Sequence, residues 1–228
     1  MDQKKLDQQS QHWEFSFSNN AEMFGLEPSL SAIKALKSFQ EKNIKSIVEL
    51  GAGLGRDTMF FAKNSVYVEA LDYSETSVQS ISSKSKKLNL TDLIKAKVFD
   101  VRKKLPFENN SIEACFSHML YCMALSNSEI ENLNNEICRI LKPGGINIYT
   151  VRHTEDGDYK NGIHIGEDLY ENDGFIVHFF SNLLHNQSNA TTAAAMEANL
   201  AGASSDLLVI TTGTLPPITT PAAQAPIK

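Results

Sequence analysis

One carboxylate and three alternating glycines form the stretch with the clearest chemical potential. Glu49, Gly51, Gly53 and Gly55 follow one another in the pattern E-x-G-x-G-x-G. Glycine has no Cβ, so a ligand can come close to the backbone of such a turn. A carboxylate at this place would repel a pyrophosphate but attract an ammonium group. Asp72 ends the next predicted strand, where α/β folds use an acid to hold ribose hydroxyls. The spacing therefore predicts a nucleotide-type cradle.

The elements around this turn predict the fold. Short apolar runs, each bounded by polar or glycine-rich residues, are typical of buried strands, and helical patterns separate them. This alternation indicates an α/β fold with a doubly wound, mostly parallel, Rossmann-like sheet and helices on both faces. The predicted strands are Ser46–Leu50, Val66–Asp72, Ile94–Asp100, Ile112–Ser117 and Ile146–Val151, and the predicted helices begin near Ser29, Asp57, Ser74 and Ser128.

A nicotinamide-dependent oxidoreductase would share this architecture. A dinucleotide fingerprint requires a third glycine in G-x-G-x-x-G, because that position packs the helix closely on the strand. Arg56 stands there instead. This bulky cation makes the dinucleotide interpretation the weaker alternative.

Further segments extend the pattern over most of the chain. The runs 48–55, 70–73, 100–102, 105–117 and 141–145 resemble, in order and spacing, the class I S-adenosylmethionine (SAM)-dependent methyltransferases. The last two runs are similar to those of the small-molecule branch, and the step from Gly55 to Asp57 is similar to that of tellurite- and thiopurine-type enzymes. The resemblance covers roughly residues 10–185.

The resemblance implies SAM as the cofactor and assigns its contacts. Glu49 would lie near the methionine ammonium, Asp72 would hold the ribose, and Asp100 would accept a hydrogen bond from the adenine amino group. The chemistry implied is transfer of the SAM methyl group to a small-molecule acceptor. The cofactor-binding residues so assigned are Glu49, Gly51, Ala52, Gly53, Arg56, Asp57, Asp72, Tyr73, Ser74, Asp100, Val101 and Ser117.

The sequence contains no specific motif for binding the methyl acceptor. Residues after the fourth and fifth strands face the carboxyl edge of the sheet, where ligands bind. His118 and His153 are suited to accepting a proton, and Tyr121 and Arg152 could orient an acceptor. Aromatic residues around Trp13 are interpreted either as a lid over the cofactor or as a hydrophobic edge. A non-catalytic SAM-binding protein remains an alternative.

The composition limits which classes of partner and ligand are expected. The 228 residues carry a formal net charge of −6 and no basic run, which argues against nucleic acid. No apolar run approaches a membrane span, so a cytoplasmic protein without a membrane partner is expected. The three cysteines have no C-x-x-C spacing, and the scattered histidines match no known ligand motif, so no metal is predicted. Nothing indicates the oligomeric state.

Three segments are distinguished by composition. Residues 1–28 are polar and then aromatic, with a frayed beginning and a lid as one interpretation. Residues 29–185 form the predicted SAM-binding domain. Residues 186–228 contain few charges and several prolines, and we leave open whether this divergent tail is ordered. The antiparallel strand pair that usually ends such a domain is not recognised, although 207–212 reads as a strand and 190–203 as a helix.

Overall fold

The computed structural model describes residues 3–181 with their side chains, and the backbone of 197–198 and 206–212. Five helices lie in the described part of the chain: α1 (Gln3–Asn19), α2 (Leu30–Glu41), α3 (Arg56–Lys63), α4 (Glu75–Lys87) and α5 (Asn127–Ile140). The strands are β1 (Ser46–Leu50), β2 (Tyr67–Asp72), β3 (Ile94–Val98), β4 (Ile112–Ser117), β5 (Leu141–His153), β6 (Ile163–Gly166), β7 (Leu169–Asn172), β8 (Phe175–Phe180), β9 (Glu197–Ala198) and β10 (Asp206–Thr212).

The sheet has the order β3-β2-β1-β4-β5-β8-β7-β6. The strands from β3 to β8 in this order pair in parallel, whereas β6, β7 and β8 form an antiparallel meander. The predicted doubly wound, mostly parallel sheet is therefore confirmed. The carboxyl ends of β1, β2, β4 and β5 meet at one edge of the sheet, and this edge positions the site.

Strand β4 shows why helices cover both faces. Side chains alternate along a strand, and Phe116 lies in a core cluster with Phe39 and Phe61 from α2 and α3. Its neighbour Cys115 lies in a second cluster, which includes Leu133 from α5. All three of Cys115, Phe116 and Phe61 are fully buried. Two apolar faces on one strand therefore require helices on both sides of the sheet.

Local capping explains where three helices begin. The side chains of Ser29, Ser74 and Ser126 each accept a hydrogen bond from a backbone N–H in the first turn of α2, α4 and α5. Ser126 also forms a reciprocal capping box with Glu129. Serine is a favoured residue at this position because it satisfies a backbone donor that the helix leaves open.

The amino-terminal prediction was wrong at one point. Residues 3–12 form the first part of α1 instead of a frayed end. Leu6 anchors this helix, since it is buried with Leu169 and Ile176 of the antiparallel meander. Gln9 adds a hydrogen bond from its side chain to the Gly174 carbonyl at 2.8 Å. Long-range contacts of this kind are not visible in a local pattern.

The described part of the chain after residue 181 contains a strand that the sequence predicts. It also contains an antiparallel pairing of strands that the sequence does not predict. Strand β10 confirms the prediction for 207–212, and it runs antiparallel to β5 from Asp206 opposite Arg152 to Thr212 opposite Ile146. It also pairs with β9. Glu197–Ala198 is therefore a strand, so a continuous helix over 190–203 was wrong there. The rest of that range and residues 213–228 lie outside the described residues.

Candidate functional site

The glycine turn opens into a cavity that we call the glycine-turn cavity. It has two adjoining compartments of about 100 and 140 Å³, both lined by Gly51, Gly53, Phe24, His118 and Met119. The turn leaves the end of β1 with positive φ at all three glycines: +68° at Gly51, +53° at Gly53 and +83° at Gly55. Residues that carry a side chain rarely adopt this backbone conformation, which explains why glycine occupies all three positions.

Glu49 lies on the inner wall of this cavity and is only 3% exposed. Thr58 Oγ1 donates a hydrogen bond to its Oε2 at 2.6 Å. Burial raises the pKa of Glu49 to about 8, and the nearby charge of Asp57 adds to the effect. A cationic group entering the cavity would favour the ionised carboxylate again. The site thus suits a ligand ammonium.

Asp72 ends β2 on the other side of the turn. Its Oδ2 accepts a hydrogen bond from Gly53 N at 2.8 Å, and its Oδ1 accepts one from Ser74 N at 2.9 Å. A carboxylate can accept about four such bonds, so Asp72 keeps acceptor capacity for ligand hydroxyls. Burial raises its pKa in spite of the two backbone donors. Asp72 and Tyr73 both line the larger compartment.

Arg56 and Asp57 hold the turn against the amino-terminal segment. Arg56 Nε donates to Asp57 Oδ1 at 3.1 Å, and its Nη1 donates to the Phe24 carbonyl at 3.1 Å. Asp57 also accepts hydrogen bonds from the amide and hydroxyl of Ser29 at 2.8 and 2.7 Å. Both residues line the smaller compartment, but their charges are largely used in fixing the turn.

Four predicted cofactor residues do not line the glycine-turn cavity. Asp100 is held by Arg102, whose Nη2 donates to it at 2.8 Å. Burial opposes ionisation of Asp100, but the bonds from Arg102 outweigh it and lower its pKa. Ser74 caps α4, Val101 packs in the core, and Ser117 is fully buried. Their contacts with a cofactor stay predictions.

Of the four predicted catalytic residues, two reach a cavity. His118 lines the glycine-turn cavity, and its Nδ1 lies 2.9 Å from the Ser31 hydroxyl. Arg152 lines a second cavity described below. His153 turns towards Glu155, whose amide donates to its Nδ1 at 3.2 Å.

The structure places Tyr121 in the core and outside the lining of either cavity. Its ring is 1% exposed and stacks on Tyr149 with 4.1 Å between centroids. Its hydroxyl donates to Asn134 Oδ1 at 2.7 Å and accepts from Asn147 Nδ2 at 3.3 Å. Tyr121 therefore lines neither cavity, because its side chain points into the α5-side core, and its role in orienting an acceptor stays a prediction.

A second cavity of about 270 Å³ lies under the antiparallel meander, and we call it the hairpin cavity. Trp13, Met119 and Met123 line both this cavity and the larger glycine-turn compartment, so the two spaces adjoin. Met119 has φ of +65°, uncommon for a non-glycine residue, and its amide donates to Thr150 Oγ1 at 2.7 Å. Such backbone conformations cluster at functional sites. Sequence reasoning assigned no site role to the hairpin-cavity residues on β7 and β8, although they follow the fifth predicted strand and the run from 175 to 180 is rich in aromatic residues.

Aromatic residues of α1 and of the turn that follows it cover the glycine turn. Phe17 and Phe24 line the larger compartment together with Trp13. Glu14 accepts a hydrogen bond from the Thr76 amide at 3.2 Å, which ties α1 to the start of α4. This geometry fits the lid interpretation.

Comparison with known proteins agrees with this geometry. Residues 47–145 match the family model described as a methyltransferase domain. The chain is 39% identical over 105 residues to phosphoethanolamine N-methyltransferase 1 of Triticum aestivum, and 40% identical over 101 residues to the enzyme of that name from Zea mays. Each match covers 44% of this chain and 20% of the relative, so the chain spans about a fifth of the length of these relatives.

Solved structures share the fold. A Pyrococcus horikoshii protein matches with a TM-score of 0.64 and 17% identity, over 80% of this chain and 88% of the other. A SAM-dependent methyltransferase of Methanosarcina mazei matches with a TM-score of 0.61 and 16% identity, over 76% and 94%. The Haemonchus contortus phosphoethanolamine N-methyltransferase 1, solved with phosphoethanolamine and S-adenosylhomocysteine, matches with a TM-score of 0.63 and 16% identity, over 93% and 49%.

Residues 47–145 are therefore similar to a methyltransferase domain, and the described chain shares the fold of these solved structures. The tellurite- and thiopurine-type subtype is not confirmed by these matches. Within the described part of the chain, histidines, cysteines and acids form no group of three or more that could hold a metal ion. Among the same residues, no helix has both the length and the apolar character needed to cross a membrane.

Proposed function

We propose that this protein transfers the methyl group of SAM to a small-molecule acceptor. The observation that carries the proposal is the pair of adjoining cavities. The glycine-turn cavity contains two buried carboxylates, one at the end of β1 and one at the end of β2. The hairpin cavity opens beside it. The structural neighbour described as a SAM-dependent methyltransferase and the neighbour solved with S-adenosylhomocysteine support SAM as the cofactor.

The glycine-turn cavity fits SAM in charge. Glu49 would meet the methionine ammonium, and the remaining acceptor sites of Asp72 would meet the ribose hydroxyls. A Cβ added at Gly51 would lie 3.0 Å from Leu120, so the turn has no room for a side chain there. SAM supplies a methyl group that its sulfonium already activates, and the protein chiefly aligns the acceptor and excludes water.

The hairpin cavity is the proposed acceptor site. Its volume of about 270 Å³ lies just below the range of drug-sized ligand sites, roughly 300–1,000 Å³. An acceptor there would reach the methyl group past Met119 and Met123, with His118 nearby on the cofactor side. The relatives' names make phosphoethanolamine a first acceptor to assay. We propose that α1 is a lid that shields both cavities from water. We also propose that the protein is a cytoplasmic enzyme that acts on a small molecule.

Calorimetry with the full chain tests the cofactor assignment. We expect SAM and S-adenosylhomocysteine to bind and NAD not to bind, because Arg56 occupies the position where a dinucleotide site needs glycine. Formation of S-adenosylhomocysteine in the presence of acceptors would then establish catalysis. NAD binding in competition with SAM would overturn the proposal, and SAM binding without turnover of any acceptor would favour a non-catalytic SAM-binding protein.

A further inference from the structure

The hairpin cavity has the charge of a cation site and not of a phosphate site. Arg152 is the one cationic side chain among the described residues that line it, and Asp158 is the one carboxylate. Asp156 lies directly behind Arg152 and is 8% exposed. One guanidinium between two carboxylates leaves this group with a net negative charge, which disfavours a phosphate monoester near it.

The Nε and Nη2 donors of Arg152 are already engaged. Its Nε and Nη2 donate to Asp156 at 2.7 and 2.8 Å, and Nη2 also donates to Asp158 at 2.7 Å. The guanidinium carbon lies 5.5 Å from the centre of the Phe179 ring, so its face is stacked as well. Recognition of a phosphate by arginine uses a fork of two N–H donors. Here that fork is occupied by Asp156.

The rest of the wall is aromatic or sulfur-containing. Trp13 and Phe175 stand next to each other with 4.9 Å between ring centroids, and Tyr170 of β7 lines the same cavity. Met119 and Met123 complete the side towards the glycine-turn cavity. Ring faces attract ammonium groups, and a nearby carboxylate adds to this attraction. The Asp158 side chain is 58% exposed, which places it at the mouth of the cavity.

We propose that the hairpin cavity binds an amine or alkylammonium group that carries no phosphate. The acceptor would differ in this respect from the phosphoethanolamine named for the relatives. The cation is held by the ring faces of Trp13, Phe175 and Tyr170 and by the carboxylate of Asp158. This inference depends on the proposed function only in calling the ligand the methyl acceptor. For transfer, the bound ammonium would first lose its proton to solvent at the cavity mouth; the amine nitrogen would then bond to the methyl carbon as the carbon–sulfur bond of SAM breaks, which leaves S-adenosylhomocysteine.

Three probes that share a trimethyl head and a two-carbon chain separate the contributions of cation and phosphate. Choline carries the cation alone, phosphocholine adds a phosphate, and 3,3-dimethyl-1-butanol replaces the ammonium by a neutral carbon. Calorimetric titration of the full chain, with and without S-adenosylhomocysteine, should show choline binding at least tenfold more tightly than either of the other two. If phosphocholine bound as tightly as choline or more tightly, the cavity would accept a phosphate, and the proposal would be overturned. Equal binding of the neutral alcohol, or no binding of choline, would overturn the cation site.

A charge substitution tests the residue that carries the specificity. Asp158→Asn keeps both bonds from Arg152 to Asp156, so the guanidinium should stay in place. We expect this change to raise the Kd of choline roughly three- to fivefold, the usual effect of an exposed charge pair, and to lower that of phosphocholine. Glu155→Gln removes an 87%-exposed carboxylate from the same loop, outside the cavity, and should change neither. Equal effects of the two substitutions would contradict the role of Asp158.

The same titrations keep this inference separate from the proposed function. Because choline binding is measured directly, it does not depend on turnover. A chain that binds choline but neither SAM nor S-adenosylhomocysteine would overturn the proposed function and support the cation site. A chain that binds SAM and methylates phosphoethanolamine in preference to ethanolamine would support the proposed function and overturn the cation site.

Discussion

The buried carboxylate of Glu49 predicts an unusual pH dependence of stability. Its folded-state pKa is about 8, against an ordinary value of 4.5, because burial and then the charge of Asp57 oppose ionisation. The unfolded chain therefore releases this proton near pH 4.5, whereas the folded chain keeps it until about pH 8. Since the folded state binds more protons over this interval, the free energy of unfolding should fall as the pH rises through it.

The size of the effect follows from the shift. Each pH unit between the two pKa values removes about 1.4 kcal/mol of stability. The loss reaches about 3 kcal/mol at pH 7 and about 5 kcal/mol at pH 8, and is constant above that. Glu49→Gln has no proton to lose, and its amide oxygen can still accept the hydrogen bond from Thr58. The difference in unfolding free energy, variant minus wild type, should therefore increase by about 1.4 kcal/mol per pH unit from pH 5 to pH 8.

Urea unfolding of the ligand-free protein at pH values from 5 to 9 measures this difference. Glu69→Gln is the matched control, since it removes a partly exposed carboxylate from the adjacent strand β2. A difference between Glu49→Gln and wild type that stays constant from pH 5 to pH 8 would refute the reasoning. It would mean that Glu49 does not keep its proton in the folded protein, and the argument for an ammonium partner would lose its electrostatic basis.

Three further substitutions test the site and its scaffold. Asp72→Ala should weaken SAM binding by about 1–3 kcal/mol, because ligand hydroxyls lose their acceptor; unchanged affinity in calorimetry would mean that the ribose is held elsewhere. Tyr121→Phe should lower the free energy of unfolding by about 1–3 kcal/mol, since part-buried Asn134 loses its donor, and should leave SAM affinity unchanged; a selective loss of turnover in an otherwise stable variant would return Tyr121 to the site. Gly51→Ala should weaken SAM binding by about 1–3 kcal/mol through strain at positive φ and the contact with Leu120; wild-type affinity would show that the turn tolerates a side chain.

The cofactor side could be predicted because its signals are local. Strands β1 and β4 were predicted with their observed ends, since a buried strand between turns has a distinct composition. Ser29 and Ser74 were recognised as candidate helix starts because a cap acts within one helical turn. The glycine turn requires positive φ at fixed positions, so it is written directly into the residue types. In each case the residues that determine the structure lie within about ten positions of one another.

The acceptor side could not be predicted in this way, because its residues come together only through long-range packing. Trp13 on α1, Met119 after β4, Asp158 in a loop and Phe175 on β8 line one cavity, although more than 160 positions separate the first from the last. The sequence identified Arg152 and Tyr121 as equal candidates, both near a strand end. Packing separates them: Arg152 is held in the cavity wall by Asp156, whereas Tyr121 is drawn into the core by Tyr149 and Asn134. A pattern that fixes which strand a residue follows does not fix which way its side chain turns, and that direction decides which of the two can contact an acceptor.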